Sequence, residues 1–100
     1  MIVRYNKSAN RELISAGRYY KRKSGAALAE RFLQQIEDAE DEILAAPERW
    51  PLVAHGVRRY LLPEFPYIIH YVIRHEVIRI MAVAHTSRRE EYWLRRLEDG

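Results

Sequence analysis

Apolar residues recur at helical spacing in two segments of the first half of the chain. In the first segment, the apolar residues are Ala9, Leu13, Ala16 and Tyr20. In the second, they are Leu28, Phe32, Ile36, Ala39 and Ile43. Ser8 stands at a position typical of an N-cap, Gly25 marks the turn between the segments, and Pro47 ends the second. The sequence therefore predicts two amphipathic helices joined by a short link, that is, a helical hairpin.

Runs of β-branched and aromatic residues predict strands on both sides of this hairpin. The first run is Ile2–Tyr5. Three more follow Pro47, at residues 57–62, 67–73 and 77–84. Their short connections favour an antiparallel meander, although Arg74-His75 is not a strong turn sequence. Residues 90–97 are expected to form a short final helix or an ordered tail.

The predicted order β-α-α-β-β-β indicates an α+β fold with two layers, an antiparallel sheet covered on one face by the helical hairpin. A chain of 100 residues is expected to form a single domain, residues 1–100. In the last strand, alternation predicts one face of Ile78, Ile80, Ala82 and Ala84 and a second of Arg79, Met81, Val83 and His85. The predicted core between helices and sheet contains Phe32, Ile36, Ile43, Ile78 and Ile80.

Charge is distributed unevenly, although the net charge is only +3. Residues 1–24 hold seven basic residues and one acid, Glu12, whereas residues 25–50 hold two basic and seven acidic residues. The remaining half holds eight arginines and six acids. Basic zones of this kind fit a nucleic acid or an acidic protein partner, but they are also typical of solvated helix faces.

Composition excludes several classes of protein. The chain has no cysteine, which excludes disulfide frameworks and thiolate chemistry. Its first residues lack the zones of a secretory signal, and no apolar run reaches the ~20 residues of a membrane span. We therefore expect a cytoplasmic protein without membrane association. His55, His70 and His75 lack metal-ligand spacing, so no metal or other cofactor is predicted.

The strongest candidate for function is the segment from Val83 to Trp93, which runs from an apolar strand into basic and aromatic residues. Its candidate side chains are His85, Arg88, Arg89, Tyr92 and Trp93, and the pair Arg58 and Arg59 lies on an earlier strand. Imidazole, guanidinium and aromatic groups bind phosphates, stack on bases or anchor protein partners. The alternatives are structural. His85 would cap nearby backbone groups, the aromatic pair would pack the tail onto the sheet, and the arginines would be solvated.

The element order and several motifs resemble the RelE/ParE family of small bacterial toxins. The motifs are Gly56-Val57-Arg58-Arg59, Phe65-Pro66-Tyr67, Val83-Ala84-His85, Arg88, Tyr92-Trp93 and Arg96. The resemblance implies the toxin of a type II toxin–antitoxin pair, neutralised by a small antitoxin with which it forms a hetero-oligomer. In that case the basic first zone, at Arg18, Lys21 and Arg22, is expected to attract an acidic antitoxin tail.

Two activities are known in this family, and the resemblance leaves both open. RelE-like members cleave messenger RNA on the ribosome; here Arg59, His85, Arg88 and Tyr92 would be the catalytic residues. ParE-like members poison DNA gyrase and have no catalytic residues. In this branch the target-binding residues would be Arg58, Arg59, His85, Arg88, Arg89, Tyr92 and Trp93. Ile68 replaces an arginine typical of RelE-like members, which favours the ParE branch; a non-toxic member that only binds an antitoxin is a third possibility.

Overall fold

The structure is a computed structural model that describes the backbone of residues 1–99 and the side chains of residues 1–98. Two helices, α1 (Lys7–Ser24) and α2 (Ala26–Ala45), follow strand β1 (Ile2–Tyr5). Four strands come next, β2 (Leu52–Ala54), β3 (Val57–Leu61), β4 (Tyr67–Arg74) and β5 (Val77–His85), and a 3₁₀ helix covers Leu94–Asp99. Within the described residues, neither helix is both long enough and apolar enough to cross a membrane.

Helix α1 begins two residues before the predicted position. The Oδ1 of Asn6 accepts the backbone N–H of Ser8 at 2.8 Å, so Asn6 is the N-cap and the prediction of Ser8 was wrong. Asn6 is held in place because its own N–H donates to the carbonyl of Ile80 at 2.9 Å. At the other end, Gly25 joins the two helices with a φ of 92°, a backbone conformation that favours glycine.

The five strands form one sheet in the order β1-β5-β4-β3-β2. Strands β3, β4 and β5 form the predicted antiparallel meander. The two-layer α+β fold is thus confirmed, but the sheet is mixed, because β1 pairs with β5 in parallel. Strand β2 was not predicted, since three residues next to Pro51 carry too short a pattern.

The predicted core residues all lie buried between the helical hairpin and one face of the sheet, which we call the helix face. Phe32 is fully buried there, and its ring packs against Tyr20, Phe65 and Tyr67 with centroids 5.2–5.3 Å apart. Two tyrosines of the sheet also reach acids of α2: Tyr5 donates to Glu40, and Tyr60 donates to Glu42. The position of the hairpin over the sheet is therefore fixed by both apolar and polar contacts.

A β-bulge changes which side chains of β5 face the helices. His70 pairs with Ala82 but Tyr71 pairs with Ile80, so Met81 has no partner opposite it in β4. Val83 consequently joins Ile78 and Ile80 in the helix-side core. The prediction for the end of β5 was wrong: Ala82 lies on the opposite, open face, and Ala84 and His85 also exchange faces.

Candidate functional site

The open face of the sheet is partly covered by the chain that follows β5, and Trp93 anchors this cover. The Trp93 side chain is only 1% exposed and packs with Val57, Val72, Met81 and Ala82. Its ring centroid lies 5.5 Å from that of His70 on β4. Trp93 is thus a core residue, which confirms that it packs the tail onto the sheet.

Glu12 of α1 connects this C-terminal segment to the rest of the molecule. One carboxylate oxygen, Oε1, accepts hydrogen bonds from the backbone N–H of Val83 at 3.1 Å and from Arg96 at 2.8 Å. The other, Oε2, accepts from the Tyr92 hydroxyl at 2.6 Å and from Arg96 at 3.1 Å. Arg96 also donates to the carbonyl of Met81 at 3.0 Å. A single carboxylate therefore joins α1, β5 and the tail.

These contacts change the acid–base properties of the two tail residues. Burial, together with the hydrogen bond to Glu12 and its negative charge, raises the pKa of Tyr92 well above its ordinary value. Burial alone would lower the pKa of Arg96, but its bonds to Glu12 outweigh this effect and raise the pKa. Both residues consequently keep their protons at neutral pH. The sequence marked Glu12 only as the one acid in a basic zone, and nothing in it indicated partners 71 to 84 residues away.

A pocket of about 570 Å³ opens between the sheet's open face, β2 and the segment after β5. Its lining includes three arginines, Arg59, Arg88 and Arg89, and two glutamates, Glu90 and Glu91, with apolar side chains such as those of Leu61 and Ile68. This volume falls in the range of pockets that hold small ligands or peptide side chains. Arginines outnumber glutamates in this lining, so the pocket combines a small excess of positive charge with apolar surface, which suits an acidic partner that also has apolar groups.

The two neighbouring arginines of β3 lie on opposite faces. Arg59 is exposed and lines the pocket, where its register partner on β4 is His70. Arg58 instead lies on the helix face and donates to the carbonyls of Glu48 and Trp50 at 2.9 and 2.7 Å. The structure thus brings Arg59 together with the tail arginines, whereas Arg58 stabilises the chain before β2.

His70 also lines the pocket, a role that its position in the sequence did not indicate. It is 9% exposed, and within the described residues its Nδ1 has no hydrogen-bond partner. Burial, with a smaller contribution from the positive charge of Arg59, lowers the pKa of His70 to about 4. The imidazole is therefore neutral at physiological pH. No group of three His, Asp or Glu side chains among the described residues could hold a metal ion.

His85 lies exposed at the end of β5, where it lines the pocket. Its Nδ1 accepts the backbone N–H of Ser87 at 3.0 Å and lies 2.7 Å from the Ser87 hydroxyl. The ring packs edge-on against Tyr67, with centroids 5.3 Å apart. His85 thus caps the turn after β5, as the structural alternative predicted, and only its Nε2 remains available to a partner.

Tyr92 and Arg88 form a stacked pair at the edge of the pocket. The Arg88 guanidinium lies 4.0 Å from the centroid of the Tyr92 ring, and Arg96 lies 4.9 Å from the same centroid. Tyr92 is only partly exposed, while Arg88 and Arg89 are exposed. Tyr92 therefore supports Arg88, one of the three arginines that line the pocket.

The basic residues of α1 line a separate, shallow groove of about 420 Å³. Arg18 and Arg22, two of the predicted antitoxin contacts, lie there with Arg11 and the exposed apolar side chain of Ile14. The third predicted contact, Lys21, is exposed but does not line the groove. Helix α1 thus presents a cationic stripe with one apolar residue within it.

Comparison with known proteins gives a family and a fold. A family model described as "ParE toxin of type II toxin-antitoxin system, parDE" matches residues 3–90, so Tyr92, Trp93 and Arg96 lie beyond the match. The solved structure of the "Chromosomal ParDE TA system from P. aeruginosa" is similar with a TM-score of 0.75 and 18% identity. That likeness covers 85% of this chain and 95% of the other, and it supports the fold. No curated protein matches the chain.

Proposed function

The chain belongs to the ParE toxin family of type II toxin–antitoxin systems, and from this premise we propose that it inhibits growth by binding DNA gyrase. We propose further that a small cognate antitoxin neutralises it by binding α1. The observation that carries the first proposal is the pocket beside the tail, whose lining joins three arginines, Arg59, Arg88 and Arg89, to apolar side chains and holds fewer acids than arginines. Such a surface binds by contact and needs no proton transfer.

The state of the candidate catalytic groups supports binding over RNA cleavage. A general acid or base works best when its pKa lies near the working pH. The raised pKa of Tyr92 and its hydrogen bond to Glu12 make its hydroxyl a poor proton donor to a substrate. His85 has one ring nitrogen occupied by Ser87, and no carboxylate among the described residues contacts it. Ile68 adds apolar surface to the pocket where a nuclease would need a cation.

The groove on α1 supports the proposed antitoxin contact. Arg11, Arg18 and Arg22 would attract an acidic segment, and Ile14 would pack against an apolar side chain of that segment. The two proposed contacts use different surfaces, since neither Arg18 nor Arg22 lines the pocket beside the tail. Toxin and antitoxin would then form a hetero-oligomer.

The experiment that tests the proposal compares two biochemical activities of the purified chain. Supercoiling by purified gyrase should fall as the chain is added, and messenger RNA in a ribosome-containing extract should stay intact. Arg88→Ala with Arg89→Ala should relieve the inhibition, whereas Arg95→Ala should not. Arg95 is the matched control because it is an exposed arginine of the same tail that does not line the pocket. Cleaved messenger RNA with normal supercoiling would refute the proposal in favour of a nuclease.

A further inference from the structure

We propose that Glu12 is the positioning residue of this toxin: it fixes the segment of residues 86–96 on the sheet and thereby sets the place of Arg88 and Arg89. This inference rests on the proposed function for its last step, the contact of those arginines with a target. The first step, the fixing of the tail, concerns the free protein alone. Glu12 itself does not line the pocket, so it would act only through the residues that it holds.

The contacts of Glu12 identify it as the main polar link between α1 and the tail. Both Glu12 and Arg96 are largely buried, with 18% and 16% of their side chains exposed, and their ion pair is closed by two N–H···O bonds. Such paired, charge-assisted bonds are about twice as strong as neutral ones and fix orientation. Among the three side-chain ion pairs of the described residues, this is the only one with both partners mainly shielded from water.

The position of Arg88 follows from this link through Tyr92. The Tyr92 hydroxyl donates to Glu12, which fixes the ring, and the guanidinium of Arg88 stacks on that ring at 4.0 Å. Residues 86–91 have exposed side chains and lie in turns outside any helix or strand. The segment is also held by the backbone bond from Thr86 to the carbonyl of Pro66 and by the exposed pair of Glu91 and His55. Neither of these contacts involves Arg88 or Arg89, so we infer that the place of the two arginines depends on Tyr92 and hence on Glu12.

The hydrogen-bond pattern requires a carboxylate at position 12. Each oxygen accepts two hydrogen bonds, and every partner is a donor. In Glu12→Gln one oxygen becomes an NH₂ group, which would point at an N–H donor of Arg96 in either orientation. A hydroxyl such as that of Tyr92 can turn to accept a hydrogen bond, but a guanidinium cannot. The mismatch should disappear in Glu12→Gln with Arg96→Met, since the new amide can donate to Tyr92 and accept from Val83.

The test measures hydrogen exchange of the tail amides and the free energy of unfolding in the full-length chain. Glu12→Gln should speed exchange of the amides of residues 86–96 roughly tenfold or more, as expected for the loss of a charged hydrogen bond. Exchange in the core of β4 should not change to the same extent. In the double variant with Glu12→Gln and Arg96→Met, the tail amides should exchange more slowly than expected from multiplying the rate increases of the two single variants. Glu30→Gln, the same change at an exposed position of α2, is the control.

The second measurement is the dissociation constant for purified gyrase. We expect Glu12→Gln to weaken binding roughly tenfold and the double variant to recover part of the loss. Recovery matters because the double variant still lacks the charge at position 12, so recovered binding would tie the loss to the mismatch with Arg96 and not to a direct contact of Glu12 with gyrase. If the wild-type chain does not bind gyrase, the proposed function has failed, and exchange of the tail alone decides whether Glu12 fixes it.

Two results would overturn the inference. One is unchanged tail exchange in a folded Glu12→Gln variant; the other is faster tail exchange with unchanged gyrase binding. If Glu12→Gln does not fold, Tyr92→Phe provides the same test, because it removes one hydrogen bond and leaves the ion pair with Arg96 intact. Unchanged exchange of residues 86–91 in Tyr92→Phe would then count against the inference.

Discussion

At the scale of single residues, Phe32 contacts three other aromatic side chains of the helix-side core. Its fully buried ring contacts Tyr20, Phe65 and Tyr67. Phe32→Ala would leave a cavity that these rings can close only in part, so we expect it to lower the free energy of unfolding by about 3–5 kcal/mol. Urea denaturation measures the loss. Leu33→Ala, at the next and exposed position, should cost less than about 1 kcal/mol, and an equal loss would contradict the assigned helix register.

His70 is a residue whose protonation should destabilise the folded chain. Its pKa is lowered from 6.5 to about 4, first by burial and then by Arg59. Between these two values the unfolded chain binds a proton that the folded chain does not. The stabilisation is therefore present above pH 6.5 and is lost as the pH falls towards 4, up to about 3 kcal/mol in total.

The check for His70 is the pH dependence of unfolding in His70→Phe, which fills the same buried position without a titrating group. We expect a shallower fall in stability between pH 6.5 and 4 than in the wild-type chain. His75→Asn is the control, since His75 is exposed in the β4–β5 turn with a φ of 50°, which asparagine tolerates. Parallel curves for the wild-type chain and His70→Phe would show that His70 does not cause the slope.

At the scale of elements, the start of α1 has two candidate N-caps, Asn6 in the structure and Ser8 in the sequence prediction. The side chain of Asn6 accepts a backbone N–H, whereas Ser8 lies inside the helix. We expect Asn6→Ala to lower the free energy of unfolding by about 0.5–2 kcal/mol, because it leaves an N–H of the first turn without its partner. Ser8→Ala should be close to neutral. Thermal unfolding of both variants measures this difference, and a larger loss for Ser8→Ala would restore the original prediction.

The elements that the sequence predicts well are those with a long repeat. Both helices and the meander of β3 to β5 follow from hydrophobic spacing, because each extends over several turns or alternations. The bulge at Met81 could not be predicted, since it depends on which residues of β4 and β5 share hydrogen bonds. The bulge nevertheless determines which side chains of β5 share a face with Arg59. Because of it, His85 lies on the other face, and Val83 packs towards the helices.

At the scale of the whole molecule, part of the candidate site follows from the sequence and part does not. Arg59, Arg88 and Arg89 were selected as functional residues, and they do line one pocket. The role of Glu12 in holding the tail was not predicted, because Glu12 contacts Tyr92 and Arg96, which lie 80 and 84 residues further along the chain. Sequence periodicity indicates which residues share an element, but not which distant elements meet. The face of Arg58 was likewise open until the strand register was known.

The groove on α1 leads to a prediction about antitoxin binding. Arg18→Glu with Arg22→Glu should slow association with an acidic antitoxin and flatten its dependence on salt, because both side chains line the groove. Lys21→Glu makes the same single charge reversal on the same helix but outside the groove, so its effect should be smaller than that of Arg18→Glu or Arg22→Glu alone. Stopped-flow association at two salt concentrations measures both. Equal effects of the three reversals would mean that the helix attracts the antitoxin only through its general charge.

The last prediction concerns growth inhibition by the whole toxin. If toxicity depends on contacts made by the pocket, His85→Ala should leave growth inhibition largely intact, because His85 caps its own turn through Ser87. Removal of charge at both Arg88 and Arg89 should reduce inhibition strongly, while Arg95→Ala should act like the wild type. Colony counts and filamentation after induction, with circular dichroism to confirm folding, measure these effects.

The variant His85→Ala distinguishes the two activities, because it should largely abolish RNA cleavage but leave gyrase binding almost unchanged. A nuclease that used this imidazole for proton transfer would lose about 10²–10⁴ in cleavage rate. A gyrase-binding toxin loses only the small contribution of an exposed side chain, since Arg88 is supported by Tyr92 and Glu12 and not by His85. Translation arrest abolished by His85→Ala in a folded chain would therefore assign the chain to RNA cleavage. Filamentation that survives it would assign the toxicity to binding at the pocket.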